Sequence, residues 1–127
     1  MPSTTSGSPS VDLRDLVRAL LLFDAVTARQ WLADATRAGL VWSKVPAPLG
    51  LDATEAALAA GVVELLASRS GQTPPGWAAA IPAAPRTLYL VRAAATMPRL
   101  RAACEQEGPE PLRRRGLPAP PDLLTSA

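Results

Sequence analysis

Apolar residues in the first third of the chain recur at the spacing of amphipathic helices. The first stripe occupies positions i, i+3, i+4, i+7 and i+8 of one predicted helix, formed by Leu13, Leu16, Val17, Leu20 and Leu21. A second helix is predicted to begin at Asp24 and to end at Gly39, which can adopt the left-handed conformation that closes a helix. Its apolar stripe includes Trp31, so we expect this tryptophan in the core.

The third periodic segment predicts a helix over Ala53–Ser70. Asp52 followed by Glu55 fits a capping box, in which the two side chains bond reciprocally to the first turn. The predicted core stripe consists of Leu58, Val62, Leu65 and Leu66. Gly61 in mid-helix destabilises it by about 1 kcal/mol relative to alanine, and this effect is offset if another helix crosses closely there.

The chain contains fourteen prolines, most of which cluster at 46–48, 74–85 and 109–121 and divide it into helical blocks and linkers. Thr87–Val91 is predicted to be a short strand or a buried connector, and a last helix is predicted to run to about Glu107. The pattern therefore predicts a mostly α protein, a small bundle of three to five helices. We expect a disordered N-terminus at 1–9, a helical domain at 10–107 and an extended basic Pro-rich arm at 108–127.

The predicted arm combines basic, apolar and proline residues. Residues 109–127 hold five prolines, three consecutive arginines and a leucine pair, and residues 86–127 carry seven arginines against four acidic residues. This asymmetry predicts an acidic partner, either protein or nucleic acid. We expect the arginines to pair with acidic groups of a partner protein while Leu117, Leu123 and Leu124 fill apolar pockets. The alternative is an arm that wraps back over its own helices.

The residue types needed for catalysis do not form a recognisable set. The chain has no histidine, so Cys104 lacks the usual base and a Ser/His/Asp triad is excluded. Asp24, Asp34, Glu55 and Glu64 are scattered and are interpreted as caps or helix-surface charges. We therefore expect no enzyme activity, no cofactor and no metal site. The N-terminus lacks the features of a signal peptide and no apolar run could span a bilayer, which predicts a cytoplasmic protein without membrane contact.

A DNA-binding regulator is the alternative to a protein-binding module. The second helix, at about residues 24–38, carries Arg29, Gln30 and Arg37, which are residue types that reach bases or phosphates. Asp34 lies between the arginines, and a solvated helix face is the favoured interpretation of this pattern. The same helix also suits self-association, so a homodimer is a further alternative.

Two segments resemble a known family. ELLASRSGQTPPGW (Glu64–Trp77) and the later PEPLRRRGLPAPPDLLTSA are similar to the C-terminal part of bacterial antitoxin-like and Xre-type regulator proteins. The resemblance implies a module that binds a partner protein, with a toxin encoded nearby as the first candidate. It places partner contacts at Trp77, whose alternative role is core packing, and at Leu112, Arg113, Arg114, Arg115 and Asp122–Leu124. The chain lacks the upstream DNA-binding domain of those regulators, which argues against repressor activity.

Overall fold

The computed structural model describes residues 12–124, and within this range the protein is mostly helical without a strand. Its α-helices are α1 (Leu13–Leu21), α2 (Ala25–Arg37), α3 (Ala53–Arg69), α4 (Gly76–Ala79), α5 (Pro98–Glu107) and α6 (Glu110–Arg113). Two 3₁₀ turns lie at Trp42–Lys44 and Arg92–Ala95. The mostly α class is confirmed, and four of the helices have nine residues or more. The predicted disordered segment 1–9 lies outside the described residues.

Helix α3 forms the centre of the fold. Every residue from Ala57 to Ala67 is buried, because α1, α4, α6 and the 3₁₀ turn at Trp42–Lys44 all pack against it. The predicted stripe of four residues was therefore only part of its buried surface. A helix that is apolar on all sides is expected to be enclosed in this way. The predicted capping box is confirmed, since Glu55 N donates to Asp52 Oδ1 (2.8 Å) and Asp52 N donates to Glu55 Oε1 (2.9 Å).

Helices α1 and α2 pack on each other and join the core through Trp31. The indole Nε1 of Trp31 donates to the carbonyl of Asp12 (2.9 Å), and its ring lies 6.3 Å from that of Trp42. The prediction of Trp31 as a core residue is confirmed. Each helix begins at a capping aspartate: Asp12 accepts from Arg14 N (2.9 Å) and Asp24 accepts from Thr27 N (3.1 Å). The hydrogen bonds from Arg14 and from Thr27 lower the pKa of the respective carboxyls.

The C-terminal segment does not extend from the body, so the predicted arm at 108–127 is corrected over the residues described. Leu112, Leu117 and Ala119 are fully buried, and Leu124 belongs to the same core. The chain wraps over α3, which was the alternative left open by the sequence. The physical reason is that the leucines of this segment remove apolar surface from water only by covering the otherwise exposed sides of α3.

The connector at Thr87–Val91 runs alongside this segment. Leu88 N donates to Gly116 O (2.9 Å) and Leu90 N donates to Pro118 O (2.8 Å), so the two stretches run in parallel. The pairing is one-sided because Pro118 has no N–H and Gly116 N is already bonded to Arg113 O. Of the two predictions for Thr87–Val91, the strand is wrong, and the buried connector is confirmed only in part, because Leu90 is buried while Thr87 is exposed.

Two glycines allow the close approaches on which this wrapping depends. A Cβ atom at Gly61 would lie 2.6 Å from Leu112 Cδ2 and 3.2 Å from Pro111 O, so α6 crosses α3 where the side chain is missing. A Cβ atom at Gly108 would lie 2.5 Å from the carbonyl oxygens of both Ala119 and Cys104. A helix therefore does cross closely at Gly61, which is the condition under which the sequence analysis expected its effect on helix stability to be offset.

Candidate functional site

Arg115, predicted to contact a partner, is buried within the protein with only 4% of its surface exposed. Its Nη1 donates to the carboxylate of Glu64 and to Pro111 O (3.1 Å), and its Nη2 donates to Ala78 O (2.8 Å). One guanidinium thus joins α3, α4 and α6. Its Nε is buried without a hydrogen-bond partner among the described residues. One hydrogen-bond donor of Arg115 is therefore unused within the described range, although its charge is paired with that of Glu64.

The other two arginines of the run also bond within the chain. Arg114 Nη2 donates to Glu64 Oε1 (2.6 Å), and Arg113 Nη1 donates to Gln106 O (2.9 Å). Glu64 is only 8% exposed, so its interpretation as a helix-surface charge was wrong. The acidic group that the arginine run requires is supplied by α3. A lone carboxylate in the apolar centre of α3 was the sequence signal for this, because a buried charge needs a counter-charge.

The apolar residues of the predicted partner site have mainly structural positions. Leu112, Leu117 and Leu124 lie in the core, and Leu123 is half-buried against it. Trp77 is also half-buried, and its Nε1 donates to Val45 O (2.8 Å). The structure therefore brings the predicted residues together, but around α3. In this conformation Leu112, Arg115 and Leu117 present no surface to a second protein.

The three residues of the DNA-binding alternative lie on the exposed surface of α2 but do not act as a set. Gln30 Nε2 donates to Asp34 Oδ1 (2.9 Å), and Arg37 pairs with the same carboxylate. Arg29 is exposed and has no ion-pair partner among the residues described. Asp34 thus balances the charge of Arg37 on the surface that would face a phosphate backbone, which within residues 12–124 leaves Arg29 as the single unpaired arginine of the three predicted residues.

An exposed apolar surface that the sequence analysis did not identify lies where α1 meets α2. Leu22 is 64% exposed, Phe23 39% and Val26 71%, and we call these three residues the corner patch. Several bulky apolar side chains exposed at one corner of a fold are more typical of interaction sites than single ones, which are common on any surface. The sequence signal was present: Leu22 and Phe23 extend the apolar run of α1 beyond its core stripe.

Phe23 has an unusual backbone conformation. It lies in the left-handed region with φ 57°, while Phe23 N donates to Leu20 O (3.1 Å) and Asp24 N donates to Ala19 O (2.8 Å). These two hydrogen bonds form a Schellman motif, in which glycine is the preferred residue at the left-handed position. The same pair of bonds follows α2, α3 and α6, where that position is held by Gly39, Gly71 and Gly116.

The end of α1 differs from the ends of α2, α3 and α6 in the residue that holds the left-handed position. At three of these helix ends a glycine adopts the left-handed conformation without strain, whereas a residue with a Cβ is destabilised there by about 1–2 kcal/mol. At the end of α1 this position is held by Phe23, an aromatic residue that remains partly exposed. The guanidinium of Arg92 lies 5.0 Å from the centre of its ring. This contact and the closing hydrogen bonds hold Phe23 in a fixed position at the surface.

Two clefts on the surface are relevant to α1, α2 and the C-terminal segment. The larger, of about 860 Å³, lies at the C-terminal ends of α2 and α3 and includes Arg69. The guanidinium of Arg69 is held by the carbonyls of Leu123 and of Pro121 (3.3 Å), and burial lowers its pKa. A smaller groove, of about 510 Å³, has Phe23 and Arg29 in its lining. In the first cleft Arg69 holds the C-terminal segment, while the second cleft includes Phe23 of the corner patch.

The groups with potential chemical reactivity are dispersed. Cys104 is fully buried, as predicted for a small apolar side chain, and burial raises the pKa of its thiol. Tyr89 donates to the carboxylate of Glu105, which raises the pKa of the phenol. In the described range, no three histidine, cysteine or acidic side chains lie close enough to hold a metal ion. None of the helices between residues 12 and 124 is long and apolar enough to cross a membrane.

Comparison of the chain with known protein families, with curated proteins and with solved structures gave no match.

Proposed function

We propose that this protein is a non-catalytic, antitoxin-like protein-binding module and that its partner docks on the corner patch formed by Leu22, Phe23 and Val26. The observation that carries the proposal is Phe23, a partly exposed aromatic residue held at φ 57° in a motif that the chain elsewhere closes with glycine. Residues held in strained backbone conformations, such as a residue other than glycine in the left-handed region, cluster at functional sites in proteins.

The corner patch has the properties of a binding hot spot. Its three side chains are held on a rigid helix–helix corner, because Asp24 caps α2 and the Schellman bonds close α1. Rigid positioning reduces the entropy lost on association. A large aromatic side chain with apolar neighbours is the composition that dominates binding energy in protein interfaces.

The C-terminal residues support this function from within. The bonds of Arg115 to Glu64 and Ala78, and the burial of Leu112 and Leu117, hold the C-terminal segment, whose Leu123 lines the groove next to Phe23. In this proposal these residues stabilise the fold, and the partner contacts the corner patch rather than the arginine run. The resemblance to antitoxin-like proteins makes a toxin encoded nearby the first partner to test.

The experiment compares variants of the corner patch in the capture of a partner and in reconstitution with the purified partner. Phe23→Gly and the double substitution L22S/V26S remove the patch, and Leu49→Ser is the control because Leu49 is 79% exposed elsewhere. We expect both patch variants to weaken the equilibrium affinity by at least about tenfold, and L49S to bind like the unmodified protein. Isothermal titration calorimetry gives the affinities.

Phe23→Gly also separates binding from folding. Because glycine suits the left-handed position, this substitution should leave the melting temperature unchanged or raise it while binding is lost. A purely structural Phe23 would show the opposite, with a lower melting temperature and intact binding. Equal affinity of all variants for the captured protein would contradict the proposal.

A further inference from the structure

The groove of about 510 Å³ beside the corner patch has an apolar interior and Phe23 as one wall. Its apolar lining comes from α1, from α2, from the connector and from the C-terminal segment, with Leu20, Ala28, Leu90, Leu123 and Leu124. Because Phe23 belongs both to the corner patch and to the groove, a segment that lies on the patch is also in reach of the groove.

Two arginines line this groove and have no carboxylate partner among residues 12–124. Neither Arg29 nor Arg92 forms an ion pair with any described residue, and Arg92 lies over the ring of Phe23 at 5.0 Å from its centre. Both arginines are exposed. Guanidinium groups in this situation can form bidentate hydrogen bonds with an incoming carboxylate.

The two acidic residues of the same groove are already engaged. Asp24 caps α2, where it accepts from Thr27 N (3.1 Å) and from Thr27 Oγ1 (2.6 Å). Asp122 lies close enough to Arg69 to interact with its charge. Asp24 keeps its charge in this cap, but its oxygens already accept from Thr27. The groove therefore offers an incoming molecule an apolar interior, and the guanidinium groups of Arg29 and Arg92 at its rim form no hydrogen bond with any described residue.

We propose that the groove binds an acidic amphipathic segment of the partner protein, with an apolar side chain inside and carboxylates on Arg29 and Arg92. This inference rests on the proposed function and names the chemistry of the partner. Apolar anchors supply most of the binding energy in such contacts, while complementary charges at the rim select the partner and raise the association rate. It also gives Arg29 a role different from the DNA contact predicted from the sequence.

The test uses the full chain and two fluorescein-labelled peptides of sixteen residues in fluorescence anisotropy. Both peptides carry leucine and phenylalanine on one helical face; one carries glutamate on the other face and the second carries lysine. We expect the glutamate peptide to bind with an affinity that falls as salt is raised, and the lysine peptide to bind at least about tenfold more weakly. The double substitution R29E/R92E should reverse this preference.

The control variant is R86E/R99E, which makes the same change in net charge at two exposed arginines outside the groove. It should retain the preference for the glutamate peptide. Equal binding of the two peptides, no binding of the glutamate peptide, or the same effect from both double substitutions would overturn the inference. So would tighter binding of a labelled 30-base-pair duplex, which would assign Arg29 to nucleic acid.

The same variants separate this inference from the proposed function. If the partner captured by the unmodified protein is lost with Phe23→Gly but retained with R29E/R92E, the corner patch is the docking site and the acidic preference is wrong. If the partner binds regardless of Phe23, Leu22 and Val26, the proposed function itself fails.

Discussion

At the scale of one residue, the burial of Arg115 determines how much its charge contributes to stability. In the sequence it is one of three identical neighbours, yet its exposed fraction of 4% contrasts with the exposed positions of Arg113 and Arg114. Removing one member of a buried ion pair destabilises a protein by about 3–5 kcal/mol, because the remaining charge is left without its partner. The three arginines should therefore differ sharply in their effect on stability.

We predict that Arg115→Met lowers the free energy of unfolding by about 3 kcal/mol, since it removes two hydrogen bonds to backbone carbonyls and the buried one of the two arginines paired with Glu64, leaving only the exposed Arg114. Arg113→Met is the matched control and should change it by less than about 1 kcal/mol, because that side chain is exposed. Urea unfolding of both variants measures the difference. Equal effects would show that Glu64 does not depend on Arg115.

At the scale of elements, the crossing of α3 and α6 depends on a missing side chain. Gly61 lies among buried residues of α3, and Leu112 of α6 occupies the space that its Cβ would take. Helix propensity favours alanine at this position by about 1 kcal/mol. Overpacking a core destabilises it by about 1–3 kcal/mol. Leu112 is fully buried and Pro111 O is a backbone atom, so neither can move away easily, and the steric effect should exceed the propensity.

We predict that Gly61→Ala lowers the free energy of unfolding by about 1 kcal/mol despite the better helix former. Gly76→Ala is the control, because a Cβ there would meet nothing within 4 Å, and it should leave stability unchanged or raise it. Thermal melts followed by circular dichroism give both values. In the background of Leu112→Ala the loss from Gly61→Ala should disappear, whereas a loss that persists would exclude Leu112 as its cause.

At the scale of the whole molecule, the C-terminal segment is part of the core. Leu112, Leu117 and Leu124 cover α3, and each buried leucine contributes about 1.5–3 kcal/mol. Their sum is comparable with the total stability of a small domain, about 5–15 kcal/mol. The body at 10–107, predicted from the sequence as a domain by itself, therefore lacks one side of its core without this segment.

We predict that deletion of residues 108–127 abolishes cooperative thermal unfolding, whereas Leu117→Ala alone lowers the free energy of unfolding by about 2–5 kcal/mol and keeps the transition cooperative. Differential scanning calorimetry distinguishes the two. A truncated chain that melts cooperatively within a few degrees of the full-length protein would mean that the segment only rests on a complete body.

The sequence by itself determined the elements whose signals are local. The helical spacing of apolar residues predicted α1, α2 and α3, and the cap residues Asp24, Asp52 and Glu55 marked where two of them begin. For Gly61 the sequence indicated only that a close helix crossing, if present, would offset the effect of this glycine on the helix. These features depend on contacts within a few residues along the chain, so they can be seen without the fold.

Only the tertiary structure decided which surfaces face the solvent. A run of arginines and leucines has the same sequence whether its counter-charge lies on a partner or, as Glu64 does, fifty residues earlier in the same chain. The corner patch likewise became visible only when φ at Phe23 and the exposure of Leu22 and Val26 were known. The reason is physical: burial and pairing of charges arise between residues distant in sequence, and local patterns do not specify which of them meet.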